Sequence, residues 1–117
     1  AAHDSGLPHV LHICGKTDPI LPDMVDAGSD GLDLDYTTDA ALACRIMEKR
    51  AMFIGNIEPS GVLALGSPDL VEERTRELLG HFRDNPRFIL NAGCAIPPIT
   101  PPENLHRMIR TPREYHR

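Results

Sequence analysis

The sequence predicts an α/β fold of parallel (β/α) units, four of them, amounting to the C-terminal half of a (β/α)8 TIM barrel. Two observations carry this. Short apolar runs alternate with amphipathic stretches along the whole chain, in the order β-α-β-α-β-α-β-α. Every candidate metal ligand falls at or just past the C-terminal end of a predicted strand, where such barrels keep their chemistry. A whole barrel typically takes about 250 residues, and this chain has 117. It therefore reads as one partial domain, 1–117, the second half of something larger.

The first strand is 9–14, an apolar run through Val10, Leu11 and Ile13 that ends at Gly15. Residues 1–8 form a polar lead-in closed by Pro8. A helix over 20–27 follows, with Asp18 as its N-cap, Pro19 at the first helical position and Gly28 just past its end. The second strand is 31–35; alternation puts Leu32 and Leu34 on one face and Asp33 and Asp35 on the other. Helix 39–49 takes Asp39 as its cap and turns Ala40, Ala43, Cys44, Ile46 and Met47 inward. The third strand is 51–56. A loop rich in Pro and Gly over 58–66 leads to helix 68–83, capped by Ser67 with Pro68 at its start. The fourth strand is 87–91, and a Pro-rich loop over 96–102 opens onto a last helix, 103–110.

Composition removes several classes of function. Hydrophobic residues make up 41% and charged residues 25%, the balance of a soluble globular chain. Aromatics are 4% and Trp is absent, so there is no platform for stacking bases. A net charge of -5 argues further against nucleic acid as a partner. No apolar run is long enough to span a bilayer, and the N-terminus lacks the apolar core of a signal peptide. Three cysteines do not make a disulfide scaffold; reduced thiols in a cytoplasmic protein are expected.

His12 and Cys14 stand two residues apart on one strand face, and Cys94 follows Gly93 at the end of another apolar run. One imidazole and two thiolates at strand ends are a set zinc favours, with room left for a substrate. A His-x-Cys pair alone is more often core, because a free cysteine behaves as a small hydrophobe. The separate Gly-Cys at a later strand end is what points to a metal. Asp33 and Asp35 have two readings: a ligand and an orienting partner for His12, or solvated charges at a barrel mouth. Asn56 reads as turn chemistry with an amide donor at the rim, within reach of a substrate. Cys44, mid-helix, reads as packing. His3, His9, His81, His106 and His116 lack partners at ligand spacing. Arg107, Arg110 and Arg113 read as a solvated basic face.

Four segments carry a family resemblance: His12-Ile13-Cys14-Gly15, Gly55-Asn56-Ile57-Glu58-Pro59, Asn91-Ala92-Gly93-Cys94-Ala95-Ile96-Pro97 and Thr100-Pro101-Pro102-Glu103-Asn104. They resemble the uroporphyrinogen decarboxylase superfamily, and within it the zinc-dependent methylcobamide:thiol methyltransferases. The resemblance covers nearly the whole chain and corresponds to the C-terminal half of the family's barrel. It implies that His12, Cys14 and Cys94 are zinc ligands. A further acidic ligand would fall on Asp35, where the methyltransferases tend to have Glu. The decarboxylase branch lacks the His-x-Cys pair and looks to carry a His-Gly-Ile type segment where this chain has Cys94-Ala95-Ile96. Yet Leu32-Asp33-Leu34-Asp35-Tyr36-Thr37-Thr38-Asp39 and the closing Tyr115-His116-Arg117 look like decarboxylase sequence. The metal residues weigh more, because they determine what chemistry is possible.

The resemblance thus implies methyl transfer from a methylcobamide, free or on a corrinoid protein, to a small thiol such as coenzyme M. Zinc is the expected cofactor, and Asp35 and Asn56 are the expected catalytic residues. A metal-free uroporphyrinogen decarboxylase is the alternative. So is a half-barrel that acts only after association, as a homo-oligomer formed through its exposed sheet edges. Neither nucleic acid nor membrane is expected as a partner.

Overall fold

The structure, a computed structural model, describes residues 1–115. Its elements alternate as the apolar pattern requires: β1 (Val10–Ile13), α1 (Leu21–Asp26), β2 (Gly31–Leu34), α2 (Ala40–Met47), β3 (Met52–Ile57), α3 (Pro68–His81), β4 (Phe88–Ala92) and α4 (Pro102–Tyr115). The four strands make one sheet in the order β1-β2-β3-β4, each pair parallel. Strands adjacent in sequence are adjacent in space and joined through a helix, which is the repeating step of a (β/α) barrel. No helix among the described residues is long and apolar enough to cross a membrane.

The helices cover one face of this sheet. Leu32, Leu34, Phe53 and Ile57 point into them and join Leu21, Met47, Val71 and Leu78 in the core. The three phenylalanines lock β3, β4 and the end of α3 together, with ring centroids 4.4 Å apart for Phe53 and Phe82 and 4.6 Å for Phe82 and Phe88. The intervening strand residues point the other way. Val10, His12, Asp33, Ile54, Asn56 and Ile89 lie on this second face, and none is buried. Val10 and Ile89, on the two outer strands, are 51% and 48% exposed. Parallel sheets bury both faces when complete, so this one has a face still to be covered.

Two of the expected caps form. Asp39 accepts from the Leu42 amide at 3.1 Å and Ser67 from the Leu70 amide at 3.1 Å. The cap expected at Asp18 does not. Residues 18–20 form a single 3-10 turn, and α1 begins at Leu21 with no side-chain cap. The Asp18 carboxylate instead accepts from the Asp39 amide at 3.3 Å, bracing the start of α2.

Other boundaries moved for identifiable reasons. The expected loop 58–66 contains a π-helical turn, Pro59–Ala64, which buries Val62 and Leu63. The last helix does not stop at 110 but runs to Tyr115 with Pro112 inside it. Pro112 lies close enough to the end that few backbone bonds are lost, and the Thr111 hydroxyl donates to the Arg107 carbonyl at 2.7 Å. Arg107 is not part of a solvated basic face. Its guanidinium donates to Glu72 at 2.6 Å and Asp69 at 3.3 Å, tying α4 to α3. Cys44 packs against the core as expected, its thiol donating to the His81 carbonyl at 3.1 Å. The lead-in is pinned by His3, whose Nε2 is 2.7 Å from the Asp30 carboxylate. His116 and Arg117 lie outside the described residues.

Candidate metal centre

Three ligand atoms converge at the C-terminal ends of the strands. Cys14 Sγ, an Asp35 carboxylate oxygen and Cys94 Sγ all lie within 4.8 Å of one another. β1 ends at Ile13, so Cys14 is the first residue beyond the strand rather than its last. His12 stands beside the cluster, with Nε2 3.1 Å from Cys14 Sγ. Its other nitrogen, Nδ1, lies 2.8 Å from the Asp33 carbonyl oxygen. A carbonyl can only accept, so Nδ1 carries the proton and Nε2 presents its lone pair toward the cluster. That is the tautomer of a metal-ligating histidine. The Asp33 carboxylate is 3.8 Å from the same Nδ1 and adds negative potential behind the ring.

The sheet and one glycine create this meeting. Parallel pairing sets His12 opposite Asp33, and each strand end hands its next residues to the mouth. Cys94 comes from β4, two strands away from β2. It reaches across because Gly93 donates to the Ile57 carbonyl at 2.7 Å and accepts from the Tyr36 amide at 3.2 Å. Gly93 has to be glycine: a Cβ there would lie 2.7 Å from Tyr36 Cβ and 2.8 Å from Tyr36 Cα. Sequence reasoning did not single out this close approach. Its only signal was the Gly immediately before Cys94.

Asp35 is not a solvated charge. It is 5% exposed. Burial pushes its carboxyl up, but bonds from the Thr37 and Gly15 amides, the Thr37 hydroxyl and the nearby His12 outweigh this and hold it below the usual carboxylate range. The Thr37 amide and hydroxyl both donate to one oxygen, at 2.9 and 2.8 Å. Cys14 moves the other way. Desolvation raises its thiol above the ordinary value, and the neighbouring Cys94, Asp35 and Asp33 raise it further. Without a cation the cluster therefore keeps a proton on Cys14.

Asn56 supports the site from below. Its amide nitrogen donates to the carbonyls of Asp35, at 3.1 Å, and Thr38, at 2.9 Å. This fixes the turn that carries Asp35. A second clasp joins that turn to the loop after β1, where the Thr17 and Thr38 hydroxyls are 2.9 Å apart. Two soft sulfurs with an imidazole and a carboxylate form a donor set suited to zinc and poor for magnesium or calcium, which take oxygen.

The model of the uroporphyrinogen decarboxylase family matches residues 1–115. The chain belongs to this family. It is 36% identical over 108 residues to the methylcobamide:CoM methyltransferase MtaA of Methanosarcina barkeri, covering 92% of this chain and 31% of that protein. It is 37% identical over 97 residues to a uroporphyrinogen decarboxylase of Synechococcus sp., covering 83% of this chain and 26% of that one. A methyltransferase from Methanosarcina mazei superposes with a TM-score of 0.87 and 31% identity, over 99% of this chain and 34% of its own. The chain thus spans about a third of the length of these relatives or less, and its four (β/α) units are a partial barrel fold. Both branches of the family are similar to it at comparable identity, so overall likeness does not choose between them.

Proposed function

We propose that this chain forms the metal-bearing part of a zinc-dependent methyltransferase, which moves a methyl group from a methylated corrinoid to a small thiol such as coenzyme M. The observation that supports this reading is the convergence of Cys14, Asp35 and Cys94 within 4.8 Å, with His12 Nε2 turned toward Cys14. His12, Cys14 and Cys94 would hold the zinc, and Asp35 would share the remaining position with substrate. Zinc bound there would keep a substrate thiol deprotonated near neutral pH, where a free thiol of pKa about 8.5 is mostly protonated.

The chain's own residues prepare the site. The Asp33 carbonyl fixes the His12 tautomer. Thr37 and Gly15 keep Asp35 ionised despite its burial. Asn56 holds the Asp35 turn at the mouth of the sheet. A cation bound here would displace the Cys14 proton, so metal uptake at this site would release protons. The exposed sheet face and its outer strands β1 and β4 are the surface on which further strands would complete the barrel and exclude water, whether from the rest of a longer chain or from a second copy. The corrinoid would approach the open mouth above Cys14 and Cys94.

The decarboxylase reading has the Synechococcus relative in its favour. It leaves the converged cysteines without a task, and the methyltransferase reading gives them one. Elemental analysis of the chain purified under reducing conditions separates the two. Zinc near one per chain, absent from a Cys14→Ser/Cys94→Ser variant, is the expected result. A folded wild-type chain that takes up no zinc would overturn the proposal.

A further inference from the structure

We propose that Cys14 and Cys94 are a reversible oxidation site: with no metal bound, they join in an intrachain disulfide that closes the metal centre. Of the three cysteines, Cys44 stands apart, half-buried on α2 and bonded to the His81 carbonyl. Cys14 and Cys94 are both exposed and face each other, their sulfurs within 4.8 Å although the residues are 80 apart in sequence. Both lie just past strand ends, outside the regular ladder, and the bond needs the sulfurs drawn in to about 2.05 Å. The crossing that brings them together, from Gly93 to Tyr36, is made by backbone and does not depend on a bound ion.

The chemistry needs a two-electron oxidant, and hydrogen peroxide is the class proposed. The Cys14 sulfur attacks one peroxide oxygen. The O–O bond breaks, an S–O bond forms, and the departing hydroxide takes the thiol proton and leaves as water. Cys94 then attacks the Cys14 sulfenic sulfur. The S–S bond forms, the S–O bond breaks, and the hydroxyl leaves with the Cys94 proton as a second water. Two thiols are oxidised and one peroxide is reduced. The product ties the two outer strands of the sheet across β2 and β3 and removes both thiolates from the cluster.

Bond formation rests on geometry alone; its effect on the metal rests on the function proposed above. The test uses the full chain carrying Cys44→Ser, stripped of metal by a chelator and treated with hydrogen peroxide. The expected product is a monomer that has lost two hydrogens in intact mass and has no free thiol. A digest should link the Cys14 and Cys94 peptides, and dithiothreitol should restore both thiols. Oxygen additions without that loss, or only disulfide-linked dimers, would overturn the proposal. Peptide mapping of the oxidised wild-type chain gives the same answer if Cys44→Ser disturbs α2. Chain preloaded with zinc should oxidise at least tenfold more slowly. If it forms the disulfide as fast as the stripped chain, the disulfide stands and the zinc reading falls.

Discussion

Gly93 and Tyr36 meet backbone to backbone at the mouth of the sheet: the Tyr36 amide donates to the Gly93 carbonyl at 3.2 Å, and a side chain on Gly93 would strike Tyr36 Cβ at 2.7 Å. The contact spans from the end of β4 to the turn after β2 and sets how far Cys94 stands from Cys14 and Asp35. Gly93→Ala must push these two segments apart, because the obstacle is backbone and cannot rotate away. Overpacking of this kind costs about 1–3 kcal/mol, readable as a lower midpoint in urea. Zinc affinity should fall by about 10- to 100-fold, the range for lost support around metal ligands, although no ligand has been removed. Titration with a chromophoric zinc competitor measures it.

Asn56 acts through Asp35. Its amide nitrogen serves the Asp35 and Thr38 carbonyls, so Asn56→Ala leaves two backbone acceptors short of a donor. The expected cost is about 1–3 kcal/mol, with zinc affinity reduced about tenfold and stoichiometry unchanged. Asn56→Asp should be worse, because it turns a carboxylate oxygen toward two carbonyls. A pure substrate contact at Asn56 would leave both zinc affinity and stability at wild-type values, and competitive zinc titration of the two variants distinguishes the roles.

The difference between what could and could not be read from the sequence lies in range. Alternation within 31–35 placed Leu32 and Leu34 inward and Asp33 outward, because strand periodicity is a property of neighbouring residues. Asp39 and Ser67 were readable as caps for the same reason: each bonds an amide three residues on. Asp18 sat in an equally local cap pattern, but its carboxylate went to Asp39, 21 residues away. The partners of Arg107 are 35 and 38 residues distant, and no periodicity announces them. The turn Pro59–Ala64 was hidden because Pro and Gly there signal a loop at short range, and the buried Val62 and Leu63 become evident only in the packed molecule. At the candidate metal centre, the strand-end positions of Cys14, Asp35 and Cys94 were legible. The burial of Asp35 and the crossing at Gly93 were not, since both arise where separate strand ends meet.

Asn104 belongs to the Thr-Pro-Pro-Glu-Asn segment that carried part of the family resemblance, and its task is structural. It is 1% exposed, and its amide nitrogen donates to the carbonyls of Leu63 at 2.8 Å and Gly66 at 2.9 Å. It thereby holds the start of α4 against the π-helical turn. Asn104→Ala strands one buried and one part-buried carbonyl and should cost at least about 1–3 kcal/mol, the range for one unmet buried group. Asn104→Asp should be at least as damaging, because an acceptor replaces the donor. Urea midpoints check both. Zinc affinity per folded chain should stay close to wild type, since neither carbonyl belongs to the strand ends that carry Cys14, Asp35 and Cys94.

The acid sensitivity of the α3–α4 contact follows from Glu72. Hydrogen bonds from Arg76 and then Arg107 hold its carboxyl below the ordinary value of 4.5, outweighing the opposing effect of desolvation. The guanidinium nitrogens lie at 3.0 Å for Arg76 and 2.6 Å for Arg107. A carboxylate whose folded pKa is depressed stabilises the fold above its unfolded pKa, and this is lost as pH falls through the folded value. Glu72→Gln should therefore be less stable than wild type at neutral pH. The gap should narrow as pH drops below about 4.5 and close once Glu72 is protonated in both folded and unfolded wild type. Asp30 and Asp35 are also depressed, so both proteins keep losing stability in acid, and the informative quantity is the difference between them. Paired urea unfolding curves from pH 7 downward measure it; a gap that stays constant across that range would show that the two arginines do not act through the charge on Glu72.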